Sequence, residues 1–275
     1  QSAATSGMAL CAMSLLSAKK RAMSRDDLVQ SIDDYLSLLR AAPFSDFVSL
    51  PEMSGEDLVN NTLKLGKISV NKDSFGEILS LERRNAVTLT YYRNNILHLF
   101  ALPGLIAAIV FASKGKEKGQ ILELVDILYP LLQREWFIYM DAQQAREYAE
   151  TLIQAMKDMG MLRQQGKKVV PADPTAPSFY SLWLLNRSVQ ETLHRYAVVL
   201  TLLAKEGTIS RGALEKQSRL YSERLSALHG ISSPEFYDKN VLATFINALR
   251  ENDFLSADDS GQLLHSETTE ALRQD

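Results

Sequence analysis

The sequence contains a single cysteine, Cys11. One thiol allows neither an intrachain disulfide nor an all-cysteine zinc site, and a reducing compartment is therefore expected. The four histidines, His98, His194, His229 and His265, lack helical metal-ligand spacing, and none begins a zinc-protease motif. We predict no metal site and no cofactor.

Catalytic and phosphate-binding motifs are missing too. There is no Gly-x-Ser-x-Gly nucleophile turn and no Gly-Lys-Ser/Thr phosphate loop. Cys11 lies in an apolar Ala/Met/Leu stretch, which indicates an inert packing role. The stretch Lys114–Gly119 predicts a solvated turn, with attraction of an anionic lipid headgroup as the alternative.

Neither positive nor negative charge is in large excess. Lys+Arg 30 against Asp+Glu 33 gives −3, and 46% hydrophobic with 23% charged residues is ordinary globular usage. Disordered and low-complexity classes are excluded for the whole chain. The chain opens at Gln1, and no basic residue precedes the apolar Met8–Leu16. We expect a fragment or processed product without a secretory signal.

Helical periodicity dominates, and it recurs in three rounds. In the first round, Leu28, Ile32, Tyr35, Leu36 and Leu39 form one stripe, with Ser24 at the N-cap position. Each round predicts helices followed by a β-hairpin. The predicted helices are 24–40 and 55–65; 104–113, 120–134 and 142–159; and 179–205, 211–228 and 235–251. The predicted strand pairs are 67–70 with 75–81, 161–164 with 167–170, and 254–256 with 262–264.

The rounds are almost evenly spaced. Leu16, Ile109 and Leu202 are 93 residues apart at each step. We predict a mainly α fold with small β-hairpins, built as three tandem winged-helix-like modules. The modules are 1–90, 91–174 and 175–265, followed by a flexible tail, 266–275. An irregular α-helical domain is the alternative.

The most apolar stretch is 96–112, which is uncharged and contains Pro103. It is at the lower length limit for crossing a bilayer. Because proline disrupts helix interiors, we predict a kinked, buried helix pair broken at Pro103, with a shallow membrane-facing surface as the alternative.

A polar cluster lies beside this stretch, and its candidate binding or interface residues are Arg93, Asn94, Asn95 and His98. The Arg93 guanidinium is suited to hold a phosphate or carboxylate through paired hydrogen bonds. The alternative is that Arg93 and the two asparagines cap and tether helix ends.

Winged helices often bind DNA through their third helix. In this sequence those helices are neutral or acidic, as Glu56 and Asp57 illustrate. A phosphate backbone would not be attracted, so we predict no nucleic-acid partner.

Several segments resemble one protein family in order along nearly the whole chain. They are Tyr91–His98, Leu102–Val110, Val125–Pro130, Glu191–Ala197, Ile209–Lys216, Arg224–Ile231 and Pro234–Lys239. These segments look like the C-terminal region of bacterial membrane-bound glycerol-3-phosphate 1-O-acyltransferases.

The resemblance implies an enzyme that moves a fatty acyl group from acyl-CoA or acyl carrier protein to the sn-1 hydroxyl of glycerol 3-phosphate. It also implies a peripheral location on the cytoplasmic face of the bacterial inner membrane. Catalysis in the family uses a His-x4-Asp motif. Here Pro103, Val199, Pro234 and Glu270 stand five residues after the histidines, so no catalytic residue carries over.

We therefore expect an inactive accessory region that packs against and orders a catalytic domain lying before it. That N-terminal acyltransferase domain is the predicted partner, and the membrane surface is a second one. The alternatives are a stand-alone winged-helix-like module that binds another protein and a transcription regulator with salt-sensitive DNA affinity.

Overall fold

The computed structural model describes residues 3–229, 234–258 and 261–265. The predicted tail, 266–275, lies outside them, as do residues 259–260 between the predicted strands 254–256 and 262–264. The described residues form α-helices with short strands between them, which confirms the mainly α prediction. The helices are α1 Gly7–Ser17, α2 Arg25–Ala41, α3 Gly55–Leu63, α4 Arg83–Asn94, α5 Ala101–Ala112, α6 Lys118–Trp136, α7 Ala142–Asp158, α8 Phe179–Glu206, α9 Arg211–His229 and α10 Lys239–Glu251.

The strands are short and form small sheets. They are β1 Ala3–Ala4, β2 Ala22–Ser24, β3 Val48–Ser49, β4 Ser69–Asp73, β5 Gly76–Ser80, β6 Lys116–Glu117, β7 Leu162–Gln165, β8 Lys168–Pro171, β9 Thr208–Ile209, β10 Leu255–Ala257 and β11 Leu263–His265. Three antiparallel sheets have the orders β2-β5-β4, β6-β8-β7 and β9-β11-β10, and β1 pairs in parallel with β3.

One order of elements occurs three times along the chain. A helix leads to a short strand, two helices and a hairpin, and the short strand pairs with the last strand of the hairpin. Leu16, Ile109 and Leu202 fall at or near the end of the first helix in each round. Strands β2, β6 and β9 were not predicted, because strands this short carry no periodicity. Assignment of the rounds as winged helices stays a prediction.

Helix starts follow the sequence closely. The Ser24 hydroxyl accepts a hydrogen bond from the Asp27 amide at 3.1 Å, and Ser54 does the same for Asp57 at 3.2 Å. Both are N-caps. The helix predicted at 235–251 starts later than expected, because the Asp238 side chain accepts from the Asn240 and Val241 amides and thereby caps α10.

The hairpin turns are displaced from their predicted positions. Strand β4 continues to Asp73, so the first turn is Ser74-Phe75 rather than 71–74. Asp73 accepts from the Phe75 amide at 2.8 Å, and Gly76 then adopts φ 134°, which favours glycine. Strand β3 lies between α2 and α3, and no alternating pattern in the sequence indicates it.

The apolar stretch is buried, as predicted, but its break is elsewhere. Every residue from 96 to 110 is buried. The helical path bends after α4 and continues through a 3-10 turn, Leu97–Phe100, into α5. Pro103 does not break α5, because it occupies the first turn, where its missing amide needs no partner.

Within the described ranges, no single helix combines the length and apolar character needed to cross a membrane. One pair, Arg84–Asn94 with Leu97–Ala112, meets that requirement together and is bent by 71°.

The chain divides into two compact units. The first comprises Gln1–Tyr129 with Ile138–Val189, and its core includes α1, where Leu10, Cys11 and Met13 are 0% exposed. The second comprises Pro130–Phe137 with Gln190–Asp275, where Leu214 and Leu249 are fully buried. The three predicted module boundaries stay a prediction.

Candidate functional site

The predicted cluster at 93–98 lies where α4 ends. Arg93 is in the last turn of α4, and its Nε and Nη2 donate to Asn94 Oδ1 at 3.2 and 3.0 Å. Asn95 is the C-cap residue, and both asparagines are exposed. Binding of a phosphate or carboxylate by Arg93 stays a prediction, as does the alternative of helix capping.

His98 is separated from these surface groups by burial. Its ring is 8% exposed and lies edge-on to Phe44, with 5.5 Å between ring centroids. Among the described residues, its buried Nε2 has no hydrogen-bond partner. Burial lowers the pKa of the imidazole, because the charged form is poorly solvated there. His98 is therefore buried while the two asparagines are exposed, and a shared binding or interface role of the four residues stays a prediction.

Phe44 joins His98 to α7. Its ring is edge-on to Tyr148 at 6.0 Å between centroids, and the Tyr148 hydroxyl donates to the Ala42 carbonyl at 3.0 Å. On the outer side, Phe44 lines a shallow depression of about 380 Å³ together with Tyr139 and Gln144. The side chains lining it supply no carboxylate, imidazole or thiol, so this surface has no acid–base pair.

A second concave surface lies between the start of α2 and the first hairpin. It measures about 600 Å³. Arg25 lines it and donates to Glu56 and Glu77 at 2.8 Å, with Asn60 as a further acceptor. These acceptors hold the guanidinium, and the hydrogen bond with Glu56 raises its pKa further. The network ties α2 to α3 and β5 rather than leaving a charge open to a ligand.

The thiol of Cys11 matches the packing interpretation. It is fully buried, and burial raises its pKa to about 12. A nucleophilic cysteine needs the thiolate near neutral pH, which this environment suppresses. In the part of the chain that the structure describes, no three His, Cys, Asp or Glu residues are arranged to hold a metal ion.

The most deeply buried charge pair was not predicted. In the second unit, Arg195 of α8 forms an ion pair with Glu135 of α6, and their side chains are 4% and 15% exposed. The Tyr196 hydroxyl donates to the same carboxylate at 2.7 Å, and its ring stacks on Phe245 with 3.9 Å between centroids. Burial first, and then the Glu135 charge, raises the pKa of Tyr196.

The side chains of this cluster hold α6 and α8 together and are not arranged for proton transfer. Glu135 accepts from Arg195, Tyr196 and Thr192, so its oxygens are directed to groups of the protein itself. One signal for this cluster is visible in the sequence, since Thr192, Arg195 and Tyr196 lie in the segment 191–197 of the family resemblance. Glu135 lies 60 residues earlier, and no local pattern joins the two.

The comparisons with known proteins agree on one family. The model described as "Glycerol-3-phosphate acyltransferase C-terminal region" matches residues 1–258. A curated glycerol-3-phosphate acyltransferase of Pseudoalteromonas atlantica is 62% identical over 272 residues, 99% of this chain. One of Alteromonas mediterranea is 52% identical over the whole chain. The chain spans 34% of the length of each relative.

Proposed function

Because this chain belongs to the family of glycerol-3-phosphate acyltransferase C-terminal regions, we propose that it assists an acyl transfer whose catalytic groups lie outside it. The proposed reaction moves a fatty acyl group from acyl-CoA or acyl carrier protein to the sn-1 hydroxyl of glycerol 3-phosphate. Lysophosphatidate is the product, and it is the first intermediate of phospholipid synthesis. The family match is the observation that carries this proposal.

The chemistry of the described side chains supports the accessory role. Acylation of an alcohol requires a base that takes the hydroxyl proton as the carbon–oxygen bond forms. His98 is buried without access to a substrate, and the Cys11 thiol has a pKa of about 12. Neither is suited to act as that base or as a nucleophile. We propose that the base belongs to the remainder of the protein and that this region packs against it.

The test of this proposal compares the 275-residue chain with the full-length protein. With acyl-CoA and glycerol 3-phosphate, the full-length protein is expected to form lysophosphatidate and the chain alone is expected to form none. Restored turnover when the separate N-terminal portion is co-expressed with the chain would support the ordering role. Lysophosphatidate made by the purified chain alone would overturn it.

The proposed binding role of Arg93 is tested separately in the full-length enzyme. If the guanidinium assists the phosphate, Arg93→Ala raises the KM for glycerol 3-phosphate by about tenfold, the effect of losing one charge-assisted contact. Arg163→Ala, an exposed arginine on β7, is the matched control. Unchanged kinetics for Arg93→Ala would eliminate the role.

We also propose a peripheral location on the cytoplasmic face of the bacterial inner membrane. Besides the resemblance, the tip of the β4–β5 hairpin supports this, because Phe75 is 97% exposed there. A single aromatic ring at a loop tip suits the boundary between headgroups and acyl chains.

Vesicle flotation tests the location. Phe75→Ser is expected to weaken association with phosphatidylglycerol vesicles, while Phe47→Ser, at a site 73% exposed, leaves it unchanged. Equal flotation of both variants and the parent would exclude this hairpin as the contact, and no flotation of the full-length parent would exclude the location.

A further inference from the structure

Helix α9 buries two serines and exposes two leucines, which is unlike an ordinary surface helix. Leu214, Ser218 and Ser222 follow one another at four-residue steps and are 0% exposed. On the other side, Leu220 is 55% and Leu228 67% exposed. A surface helix normally directs leucines to the core and serines to water. Folding of this unit therefore gives no reason for the two exposed leucines.

The exposed side alternates positive and apolar groups along one line. Lys216, Leu220, Arg224 and Leu228 lie at four-residue steps, and all four are exposed. At 1.5 Å per residue the line is about 18 Å long. We call these four residues the α9 stripe.

The two cations of the stripe are available to a partner. Neither Lys216 nor Arg224 forms an ion pair or hydrogen bond within the described portion of the chain. Their neighbours differ, because Arg211 pairs with Glu215 and Arg219 with Glu223, each at 2.9 Å. The stripe therefore keeps two positive charges unbalanced in a chain whose net charge is −3.

The alternation favours a protein over a lipid surface. A helix lying on a bilayer segregates its apolar side chains from its charged ones, so that only the former enter the hydrocarbon. Here Arg224 stands between Leu220 and Leu228, and a layer that took up both leucines would have to take up the guanidinium as well. A protein helix with alternating carboxylates and apolar side chains can satisfy both kinds of group.

We propose that the α9 stripe is a docking surface for a small acidic protein that carries the acyl group as a thioester. Carboxylates of the carrier face Lys216 and Arg224, and apolar side chains cover Leu220 and Leu228. This inference rests on the proposed function, to which it adds the surface that receives one class of acyl donor.

Binding by the 275-residue chain is the first test, with acyl carrier protein as the probe in a fluorescence-anisotropy titration at low salt. The combined change Lys216→Glu and Arg224→Glu is expected to weaken binding at least about tenfold. Leu220→Ser with Leu228→Ser is expected to weaken it about tenfold without a change of charge. The matched control is Lys167→Glu with Lys168→Glu, which changes the net charge equally at exposed positions of the β7–β8 hairpin.

Each outcome of the titration decides the proposal. Loss of affinity in both α9 variants, with the control and the thermal melt unchanged, supports it. No binding by the parent chain, or equal binding by all four proteins, overturns it. Loss of vesicle flotation in the α9 variants with unchanged carrier-protein affinity would assign the stripe to the membrane and also overturn it.

Kinetics of the full-length protein provide the second test. The charge-reversed variant is expected to raise the KM for acyl carrier protein about tenfold and to change the KM for acyl-CoA less than about twofold. An equal change for both donors would contradict a docking role. If the full-length parent turned over neither donor, the proposed function would be refuted. The titration would still show whether the α9 stripe binds acyl carrier protein.

Discussion

His98 is the residue whose surroundings most alter the chemistry expected from its type. Buried against Phe44, it has a lowered pKa, so the folded protein holds the neutral form more firmly than the unfolded chain does. Between the folded pKa and the ordinary value of 6.5, the unfolded chain therefore binds more protons. The His98 contribution to stability is complete above 6.5 and is lost as the pH falls below it.

Burial of His98 predicts a pH dependence of stability that belongs to one side chain. The free energy of unfolding of the parent should fall between pH 7 and pH 5, with His98 contributing a slope of up to about 1.4 kcal/mol per pH unit. In urea titrations, His98→Leu should show a smaller fall. Identical slopes in the two proteins would contradict a role of His98 in the pH dependence.

Cys11 leads to a second prediction at this scale. Because it is fully buried and its pKa is about 12, its reaction with a thiol reagent at pH 8 should be at least about a thousandfold slower in the native chain than in urea. Release of thionitrobenzoate measures both rates. Rapid labelling of the folded chain would show that the site is open to solvent.

The same residues mark the limit of sequence reasoning about the site. Residue type and the apolar neighbours of Cys11 were sufficient to predict its packing in the core. The run from Arg93 to His98 suggested one polar cluster, but the chain leaves α4 and turns through Leu97–Phe100, which carries His98 into the core. Residues that are close in the sequence therefore differ in exposure: Asn94 and Asn95 lie at the surface and His98 lies in the core.

Among the elements, α6 and α8 are linked by the carboxylate of Glu135, which accepts from Thr192, Arg195 and Tyr196. Glu135→Gln would leave the Arg195 charge buried without its partner, so we expect a loss of about 3 kcal/mol in the free energy of unfolding. Glu251→Gln is the control, because its pair with Arg134 is more than half exposed and should contribute less than about 1 kcal/mol. Equal losses in the two variants would contradict the importance of burial.

Two helical glycines, Gly104 and Gly212, allow the effect of close packing on stability to be compared. A Cβ at Gly104 would lie 2.5 Å from Val189 Cγ1 and 3.0 Å from the Leu185 carbonyl oxygen, so Gly104→Ala should cost about 1–3 kcal/mol. A Cβ at Gly212 meets nothing within 4 Å, so Gly212→Ala should stabilise the chain by about 0.5 kcal/mol. Thermal unfolding of the two variants measures both effects, and a stabilising Gly104→Ala would refute the close approach of α5 to α8.

Local pattern rather than length decided which elements were predictable, since the 12-residue α4 is not among the predicted helices. Helices such as α2 carry a stripe of periodic apolar residues and a serine cap, which local chemistry is enough to define. Strands β2, β6 and β9 have two or three residues and form because a distant hairpin supplies their hydrogen-bond partners. The predicted break at Pro103 was wrong, because the effect of a proline depends on its position in the helix and Pro103 lies in the first turn of α5.

For the molecule as a whole, charge distinguishes the competing functions. The net charge is −3, and α3 begins with Glu56 and Asp57. We expect no shift of a DNA duplex in gels at low salt, where phosphate contacts are strongest. A shift that disappears as salt is raised would revive the transcription-regulator alternative.

The sequence alone was sufficient for the family, the helical content, the recurring order of helices and hairpins, and the lack of a His-x4-Asp pair. These features depend on residue identity and on hydrogen bonds within a few residues. The structure decided which face of each helix is buried: His98 inward, Leu220 and Leu228 outward, and Glu135 against Arg195. Those outcomes depend on contacts between segments that are distant in the sequence. Such contacts stabilise the fold only when whole elements pack together.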